Sequence, residues 1–153
     1  MFDIIRYTPG RKDEWNTFVA GSKNGTFLFN RDYMDYHSDR FEDFSLMFYL
    51  QGRLYGLMPA NKKGDIFQSH MGLTYGGLIM DAKTTAAATV QLFHELNDYL
   101  RAEGFRHVLY KCIPWIYHQM AAEEDLYAMV RTCDVRLQDR DLGTAIIQRN
   151  TIR

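Results

Sequence analysis

The order of hydrophobic and polar positions in the N-terminal quarter of the chain predicts one strand followed by two short helices. Phe2 to Thr8 reads as a strand that ends at a Pro-Gly pair. Trp15, Phe18 and Val19 then recur at helical spacing and predict an amphipathic helix. Asn30 is a suitable N-cap for the second helix. The chain therefore begins β-α-α.

The middle of the chain has the pattern of an antiparallel meander. Phe44 to Leu50 and Leu54 to Met58 are two apolar runs, and Gln51-Gly52 between them predicts a tight hairpin turn. Ile66 to His70 is predicted as a third strand. Leu73 to Met80 is expected to extend or bend that strand across a glycine-rich corner.

The remaining residues predict a strand-helix-strand crossover and a second long helix. A stripe of apolar residues indicates a helix from about Thr84 to Ala102, followed by a strand at Arg106 to Cys112 and a helix at Ala122 to Thr132. The acidic residues of that last helix are interpreted as solvated partners of its dipole: Glu123, Glu124 and Asp125. A final pair of strands is predicted at Val135 to Asp141 and Thr144 to Gln148.

This order predicts the α+β class, close to α/β, with a mixed and mostly antiparallel sheet flanked by helices. No repeat, linker or charge block divides the 153 residues, so residues 1–153 are expected to form a single domain. The same order of elements occurs in the GCN5-related N-acetyltransferase (GNAT) fold. Element order alone does not fix the chemistry.

Net charge, apolar runs and cysteine content limit which binding partners and which cellular compartment we expect. Lys plus Arg number 18 and Asp plus Glu number 19, so the net charge of −1 gives no overall field for gathering nucleic acid, and no DNA partner is expected. No run of residues is apolar enough for a transmembrane segment or a signal peptide, which predicts a cytoplasmic chain. Cys112 and Cys133 have no metal-ligand spacing, and no metal site is predicted.

Several local segments resemble the amino-terminal half of bacterial GNAT-like proteins related to the Fem (FemAB-like) peptidoglycan aminoacyltransferases, often encoded among surface-polysaccharide genes. The segments that carry the resemblance are Asn24-Gly25-Thr26-Phe27-Leu28, Tyr36-His37-Ser38-Asp39-Arg40-Phe41, Leu57-Met58-Pro59-Ala60-Asn61, Ser69-His70-Met71-Gly72-Leu73-Thr74-Tyr75-Gly76-Gly77, Tyr110-Lys111-Cys112-Ile113-Pro114 and Ala122-Glu123-Glu124-Asp125-Leu126-Tyr127. Together they span nearly the whole chain.

The resemblance implies that this chain is the first lobe of a two-lobe acyltransferase. In that family two GNAT-like domains stand in tandem, and donor and acceptor meet at the second domain and the cleft between the two. The implied partner is therefore a second GNAT-like domain or another copy in a homo-oligomer. The implied substrate is a small molecule or precursor of peptidoglycan or surface polysaccharide.

The glycine-rich corner departs from the acetyl-CoA site of GNAT enzymes. Those enzymes hold the pyrophosphate with backbone N–H groups in a Q/R-x-x-G-x-G/A loop before a helix. Here the nearest glycines are Gly72, Gly76 and Gly77, the spacing differs, and the helix begins only near Thr84. We expect this lobe to bind no cofactor. If it does bind one, acetyl-CoA is the candidate. The glycines are interpreted as turn and packing residues, or as a wall that a substrate approaches.

Acyl transfer to an amine needs a proton acceptor, donors for the oxyanion and an orienting pocket. The predicted catalytic residues follow the central strand: Lys111 to neutralise a phosphate or carboxylate, Tyr117 to stack and hydrogen-bond, and His118 to relay a proton. The predicted substrate-binding residues surround the glycines: His70, Gly72, Thr74, Tyr75, Gly76 and Gly77. Structural roles in the core edge or on the surface are the alternative for each His and Tyr.

Three hypotheses follow from the sequence. The first is the acceptor-side lobe of a Fem-like N-acyltransferase, which transfers an acetyl or aminoacyl group to an amine of a cell-wall or nucleotide-sugar precursor and is nearly inactive alone. The second is a self-sufficient, small acetyl-CoA-dependent N-acetyltransferase. The third is a non-catalytic interaction domain that pairs through its aromatic surface.

Overall fold

The computed structural model describes residues 1–37, 39–140 and 142, which form eight strands and four α-helices. The helices are α1 (Lys12–Gly21), α2 (Arg31–Met34), α3 (Ala86–Ala102) and α4 (Glu124–Thr132). The strands are β1 (Phe2–Arg6), β2 (Glu42–Asp43), β3 (Leu46–Leu50), β4 (Arg53–Met58), β5 (Asn61–Lys63), β6 (Ile66–Gln68), β7 (Ile79–Met80) and β8 (His107–Leu109). Short 3-10 turns occur at Pro9–Arg11, Phe27–Phe29, Asp35–His37 and Trp115–Tyr117.

The strands form two four-stranded sheets. The first has the order β1-β3-β4-β7 with antiparallel pairing throughout, and the second has the order β2-β5-β6-β8. Only its last pair is parallel: Ile66 lies opposite His107 and Gln68 opposite Leu109, with α3 between the two strands in sequence. Helices flank these sheets, and the predicted α+β class with mostly antiparallel pairing is confirmed.

Local sequence signals explain where the elements begin and end. Gln51 and Gly52 both have positive φ angles, 53° and 75°, as a two-residue hairpin turn between β3 and β4 requires. The Asn30 side chain accepts a hydrogen bond from the backbone N–H of Asp32 at 2.9 Å and caps α2. Thr85 caps α3 in the same way. The predicted turn and the Asn30 cap are confirmed, and α3 begins two residues after its predicted start.

Two predicted strands differ from the structure, and a third cannot be compared with it. Between Leu73 and Met80 only Ile79–Met80 forms a strand, because the glycine-rich part hydrogen-bonds to the chain after β8 instead. Residues 135–140 form no strand; they are exposed, so their alternating pattern has no buried face. Asp141 and the strand predicted at residues 144–148 lie outside the described residues. Two short strands, β2 and β5, were not predicted.

Apolar side chains form two clusters in the core. In one cluster, α3 contributes four buried side chains that pack with the Phe and Met side chains of the sheets: Leu92, Phe93, Leu96 and Leu100. In the other, Trp15 and Val19 of α1 pack with Phe29, Met47 and Leu57. Burying a large apolar side chain contributes about 1.5–3 kcal/mol, so the predicted stripe of α3 holds this helix in place.

One charged pair fastens α4 to the segment after α1. Lys23 is buried, and its Nζ donates to Glu124 at the start of α4. Its backbone carbonyl also accepts from the N–H of Gln119 at 2.8 Å.

Within the described residues, no helix has the length and apolarity needed to cross a bilayer.

Candidate functional site

The glycine-rich corner, which we define as residues 69–78, is fastened to the chain that follows β8. The Gly76 N–H donates to the Lys111 carbonyl at 3.1 Å, and the Lys111 N–H donates to Ser69 Oγ at 2.7 Å. Lys111 Nζ donates to the carbonyl of Leu73. Three hydrogen bonds to one residue therefore hold the corner, and the backbone N–H of Gly76 is used by the chain itself.

The glycines of the corner lie where a side chain would collide. A Cβ on Gly76 would come within 2.4 Å of the Ser69 carbonyl oxygen. Gly77 has a φ of +96°, and a Cβ there would lie 2.8 Å from the Tyr110 hydroxyl. Gly72 is exposed, and a Cβ on it would lie 2.6 Å from the Phe41 ring. Close packing explains Gly76 and Gly77, whereas Gly72 is the one that faces outward.

Two tyrosines stack beside the corner. The Tyr75 and Tyr117 rings lie 5.2 Å apart at an interplanar angle of 27°. Tyr75 is buried and its hydroxyl donates to Thr26 Oγ1 at 3.0 Å, while burial raises its pKa. Tyr117 is 48% exposed and Thr74 is also exposed. Tyr117 thus covers Tyr75 and presents a ring edge and a hydroxyl to solvent.

Lys111 and His118 are both half-buried and each hydrogen-bonds to a backbone carbonyl. Burial lowers the pKa of Lys111, and its Nζ donates a hydrogen bond to the Leu73 carbonyl oxygen. His118 Nε2 lies 3.2 Å from the carbonyl oxygen of Ile113. Because a carbonyl oxygen only accepts, Nε2 carries the proton of a neutral His118 and Nδ1 carries the lone pair. His118 is therefore oriented as a proton acceptor at Nδ1.

His70 begins the corner in an unusual backbone conformation. It is buried, has a φ of +40°, and its ring lies 5.8 Å from the Phe41 ring. Burial lowers its pKa to about 4, with the charges of Arg31 and Lys111 lowering it further and that of Asp43 opposing them. His70 is consequently neutral at pH 7 and has little basic strength.

The structure thus brings the predicted site residues together only in part. Lys111, Tyr75, Tyr117 and the glycines meet around the corner through the contacts above. His118 hydrogen-bonds within its own loop, and His70 lines a separate cavity together with Arg31, Asp43 and Asn61. These assignments to catalysis and substrate binding remain predictions.

A buried Tyr-Asp contact was missed in the sequence. Asp125 was interpreted as a solvated residue, but it is buried and accepts from the Tyr110 hydroxyl at 2.5 Å. The same hydroxyl accepts from the Leu78 N–H at 2.7 Å. Burial raises the pKa of Asp125, and also that of Tyr110 to well above its usual value. The acidic residue in the first turn of α4 was visible in the sequence, but its partner Tyr110, fifteen residues earlier, was not.

The fit of this lobe to acetyl-CoA can be judged at the N-terminus of α3, where a pyrophosphate would need free N–H groups. The Asp81 carboxylate accepts from the N–H of Lys83 at 2.8 Å and from the Thr84 hydroxyl at 3.3 Å. The Tyr55 hydroxyl accepts from the N–H of Thr85 at 3.2 Å. The Asp81 carboxylate therefore lies in the segment just before α3, where it would repel a phosphate. This segment does not fit a coenzyme diphosphate.

Metal ligation finds no support in the described ranges 1–37, 39–140 and 142. They contain no group of three or more His, Cys, Asp or Glu side chains placed to hold an ion.

Comparison with known proteins identifies the fold. No protein-family model and no curated protein matches the sequence. A probable acetyltransferase from meticillin-resistant Staphylococcus aureus aligns over 97% of this chain and 100% of its own, with 14% identity and a TM-score of 0.49. Two aminoglycoside acetyltransferases from uncultured soil samples align over 97% of this chain and 99% and 97% of theirs. They have 16% and 11% identity and TM-scores of 0.50 and 0.51, and the second was solved in complex with sisomicin.

Identities this low show the fold and leave the activity open. Both aminoglycoside acetyltransferases align with this chain along nearly the whole of each chain. The chain therefore has the α+β fold of these two aminoglycoside acetyltransferases.

Proposed function

We propose that this chain is the acceptor-side lobe of an N-acyltransferase, which orients an amine of a cell-wall or nucleotide-sugar precursor while the acyl donor is held elsewhere. One observation carries the proposal: the chain has an acetyltransferase fold, yet the Asp81 carboxylate takes a backbone N–H just before α3 and the Thr85 hydroxyl takes one in its first turn. A lobe of this kind can shape an acceptor site without gripping a coenzyme diphosphate.

The reaction joins the amine nitrogen to the acyl carbon. The N–C bond forms, the bond from the acyl carbon to the donor's leaving group breaks, and the amine proton passes to a base. His118 suits the role of base because the carbonyl of Ile113 fixes the proton on Nε2 and leaves Nδ1 to accept. Tyr117, which lies immediately before it and is 48% exposed, offers its ring edge and hydroxyl to the acceptor.

A partner lobe would complete the site. The large apolar side chains that are exposed in the described residues are concentrated in the chain from β8 onward: Val108, Trp115, Ile116, Tyr117, Met120, Tyr127, Val130, Val135, Leu137 and Leu142. Apolar side chains of this size favour association. A second GNAT-like domain or a second copy of this chain is the proposed occupant.

A second candidate is a self-sufficient acetyl-CoA-dependent N-acetyltransferase. The observation that favours it is that the aligned aminoglycoside acetyltransferases are matched over 97–99% of their own chains. Titration calorimetry with CoA separates the two candidates. The lobe proposal predicts no saturable heat at millimolar CoA, whereas saturable binding in the micromolar range would contradict it and support this candidate.

The transfer itself is tested with the product of the complete reading frame, a thioester or aminoacyl donor and an amino-sugar acceptor. We expect acylation of the amine, and His118→Asn should lower kcat by about 10²–10⁴-fold because general-base catalysis contributes that much. The matched control is His94→Asn, because His94 is exposed on α3. Absence of transfer, or equal rates for the two variants, would contradict the proposal.

A further inference from the structure

A fully buried arginine lies outside the site described above. The Arg31 guanidinium lies against the rings of both Tyr7 and Trp15, which meet at an interplanar angle of 70°, with its central carbon 3.4 Å and 4.1 Å from the ring centroids. Its Nη1 contacts Asp43 Oδ2 at 2.5 Å and Asp35 Oδ1 at 3.5 Å. Its Nε and Nη2 find no hydrogen-bond partner in the described part of the chain.

Two more buried side chains on the same cavity have an unpaired polar atom. Asn61 Nδ2 and His70 Nδ1 have no partner among the described residues, although both residues are more than nine-tenths buried. Together with Arg31 they line a cavity of about 20 Å³. Buried donors without partners are costly, so a group that enters this cavity and pairs with them is stabilised.

The unpaired atoms define the chemistry of that group. Arg31 Nε, Arg31 Nη2 and Asn61 Nδ2 can only donate, so the group must offer oxygen lone pairs. His70 is neutral at pH 7 and can accept a hydrogen bond at Nδ1. A hydroxyl both accepts and donates and meets all of these needs. The cavity volume suits one oxygen atom.

The remaining lining adds a preference for a cation and for an apolar ring face. The Asp35 and Asp43 side chains are 42% and 39% exposed, and the two carboxylates share one guanidinium nitrogen. Within this group of three, one negative charge is in excess. Phe41 is half-buried on the same cavity and presents an aromatic surface.

We propose that the cavity lined by Arg31, Asn61 and His70 is a subsite for a hydroxyl group of an amino sugar, whose ammonium group lies against Asp35 and Asp43. The ring of the sugar packs on Phe41. This cavity lies apart from Lys111, Tyr117 and His118, and the ammonium of the sugar is ion-paired, so the subsite is a binding site in addition to the proposed acyl transfer and does not depend on it.

The experiment is an NMR titration of the ¹⁵N-labelled chain that follows the Arg31 Nε–H and Asn61 Nδ2–H signals. D-glucosamine should shift both signals saturably. D-glucose should do so with about tenfold weaker affinity, because it lacks the ammonium group. Cyclohexylamine, which lacks hydroxyls, should leave both signals in place. If D-glucosamine produces no saturable shift, or cyclohexylamine shifts both signals as strongly, the proposal is overturned.

Asn61→Asp tests the donor directly. Asn61 Oδ1 accepts from the Met71 N–H at 2.8 Å, and the variant keeps that oxygen while replacing Nδ2. We expect about tenfold weaker glucosamine affinity, whereas a contact through the ammonium alone would be strengthened by the added carboxylate. Asn97→Asp is the matched control, because Asn97 is half-buried on α3 and bonds to the Thr132 carbonyl. Unchanged or tighter binding by Asn61→Asp would contradict the subsite.

A second variant guards against misfolding of the first. Asp35→Asn changes a partly exposed side chain and should weaken binding of D-glucosamine while leaving that of D-glucose unchanged. Equal effects on both sugars would contradict the role of the carboxylate. The outcomes also separate the two proposals: saturable shifts without acyl transfer leave the subsite standing and refute the transfer, and transfer without such shifts does the reverse.

Discussion

At the scale of single residues, burial decides the chemistry of His70. The side chain lies among Arg31, Asp43 and Lys111, and loss of hydration outweighs the attraction of the one carboxylate, so its pKa falls from 6.5 to about 4. An unfolded chain binds a proton at this histidine below pH 6.5, and the folded chain does so only below about pH 4.

This pKa difference predicts an acid-sensitive fold. Stability should fall as the pH is lowered from 6.5 to 4, by up to about 3 kcal/mol from His70, because in that range the unfolded state binds more protons. His70→Asn cannot titrate and Asn tolerates a positive φ, so its stability should lack this component. Urea denaturation of the wild type and His70→Asn at several pH values measures the difference between their free energies of unfolding. The raised pKa of Asp125 affects both proteins equally and therefore cancels in this difference. Parallel pH profiles would contradict the assignment.

Some individual side-chain roles could be predicted from the sequence and others could not. Asn30 caps α2 as predicted because its contact is only two residues away. Arg31 and Asp125 gave no signal of burial, since their partners Tyr7, Asp43 and Tyr110 are distant in sequence. Charged residues are rarely buried unless paired, and the pairing is visible only in three dimensions.

At the scale of elements, periodic sequence patterns correctly located the long helix α3 and the β3–β4 hairpin. They failed where backbone N–H and carbonyl groups hydrogen-bond to a loop and not to a neighbouring strand. The stripe of α3 and the Gln51-Gly52 turn depend on local sequence alone. The corner was predicted to continue a strand, but its N–H and carbonyl groups bond to Lys111 instead. Lys111 is a charged residue in a predicted strand, and that position alone could not distinguish a contact with a ligand from a contact with backbone.

The tight fit of the corner predicts that Gly76→Ala is strongly destabilising. The added Cβ would meet the Ser69 carbonyl oxygen at 2.4 Å, and backbone at that position cannot rotate away as a side chain would. We expect a loss of about 2–4 kcal/mol in the free energy of unfolding. Gly10→Ala is the control, because nothing lies within 4 Å of its added Cβ. Thermal or urea denaturation checks both, and a loss below about 1 kcal/mol for Gly76→Ala would contradict the packing.

At the scale of the whole molecule, α4 is held to the rest of the protein by buried polar contacts. The Tyr110 hydroxyl joins the end of the corner, through the Leu78 N–H, to Asp125 in the first turn of α4. Lys23 makes a second link to the same turn through Glu124. The site residues around Lys111 and Tyr117 lie in the chain between these anchors, so their positions depend on both.

Removing the Tyr110 hydroxyl should therefore loosen α4. Tyr110→Phe leaves the Leu78 N–H and the Asp125 carboxyl buried without this partner, and we expect a loss of about 2–4 kcal/mol. Tyr117→Phe is the matched control. Tyr117 is about half exposed, so removing its hydroxyl should lower the free energy of unfolding by less than about 0.5 kcal/mol. Urea denaturation measures both, and hydrogen exchange should show the amides of α4 opening first in Tyr110→Phe. Equal stability of the two variants would rule out this anchoring role.

The parallel pairing of β6 with β8 has a consequence for the order in which the chain acquires its structure. Ile66 must meet His107 across the whole of α3, whereas β3 meets β4 across a two-residue turn. Closing so long a loop costs conformational entropy, and this cost precedes the stabilisation that the β6–β8 hydrogen bonds provide. We therefore expect the β3–β4 hairpin and α3 to form before the β6–β8 ladder closes, because docked α3 shortens the loop.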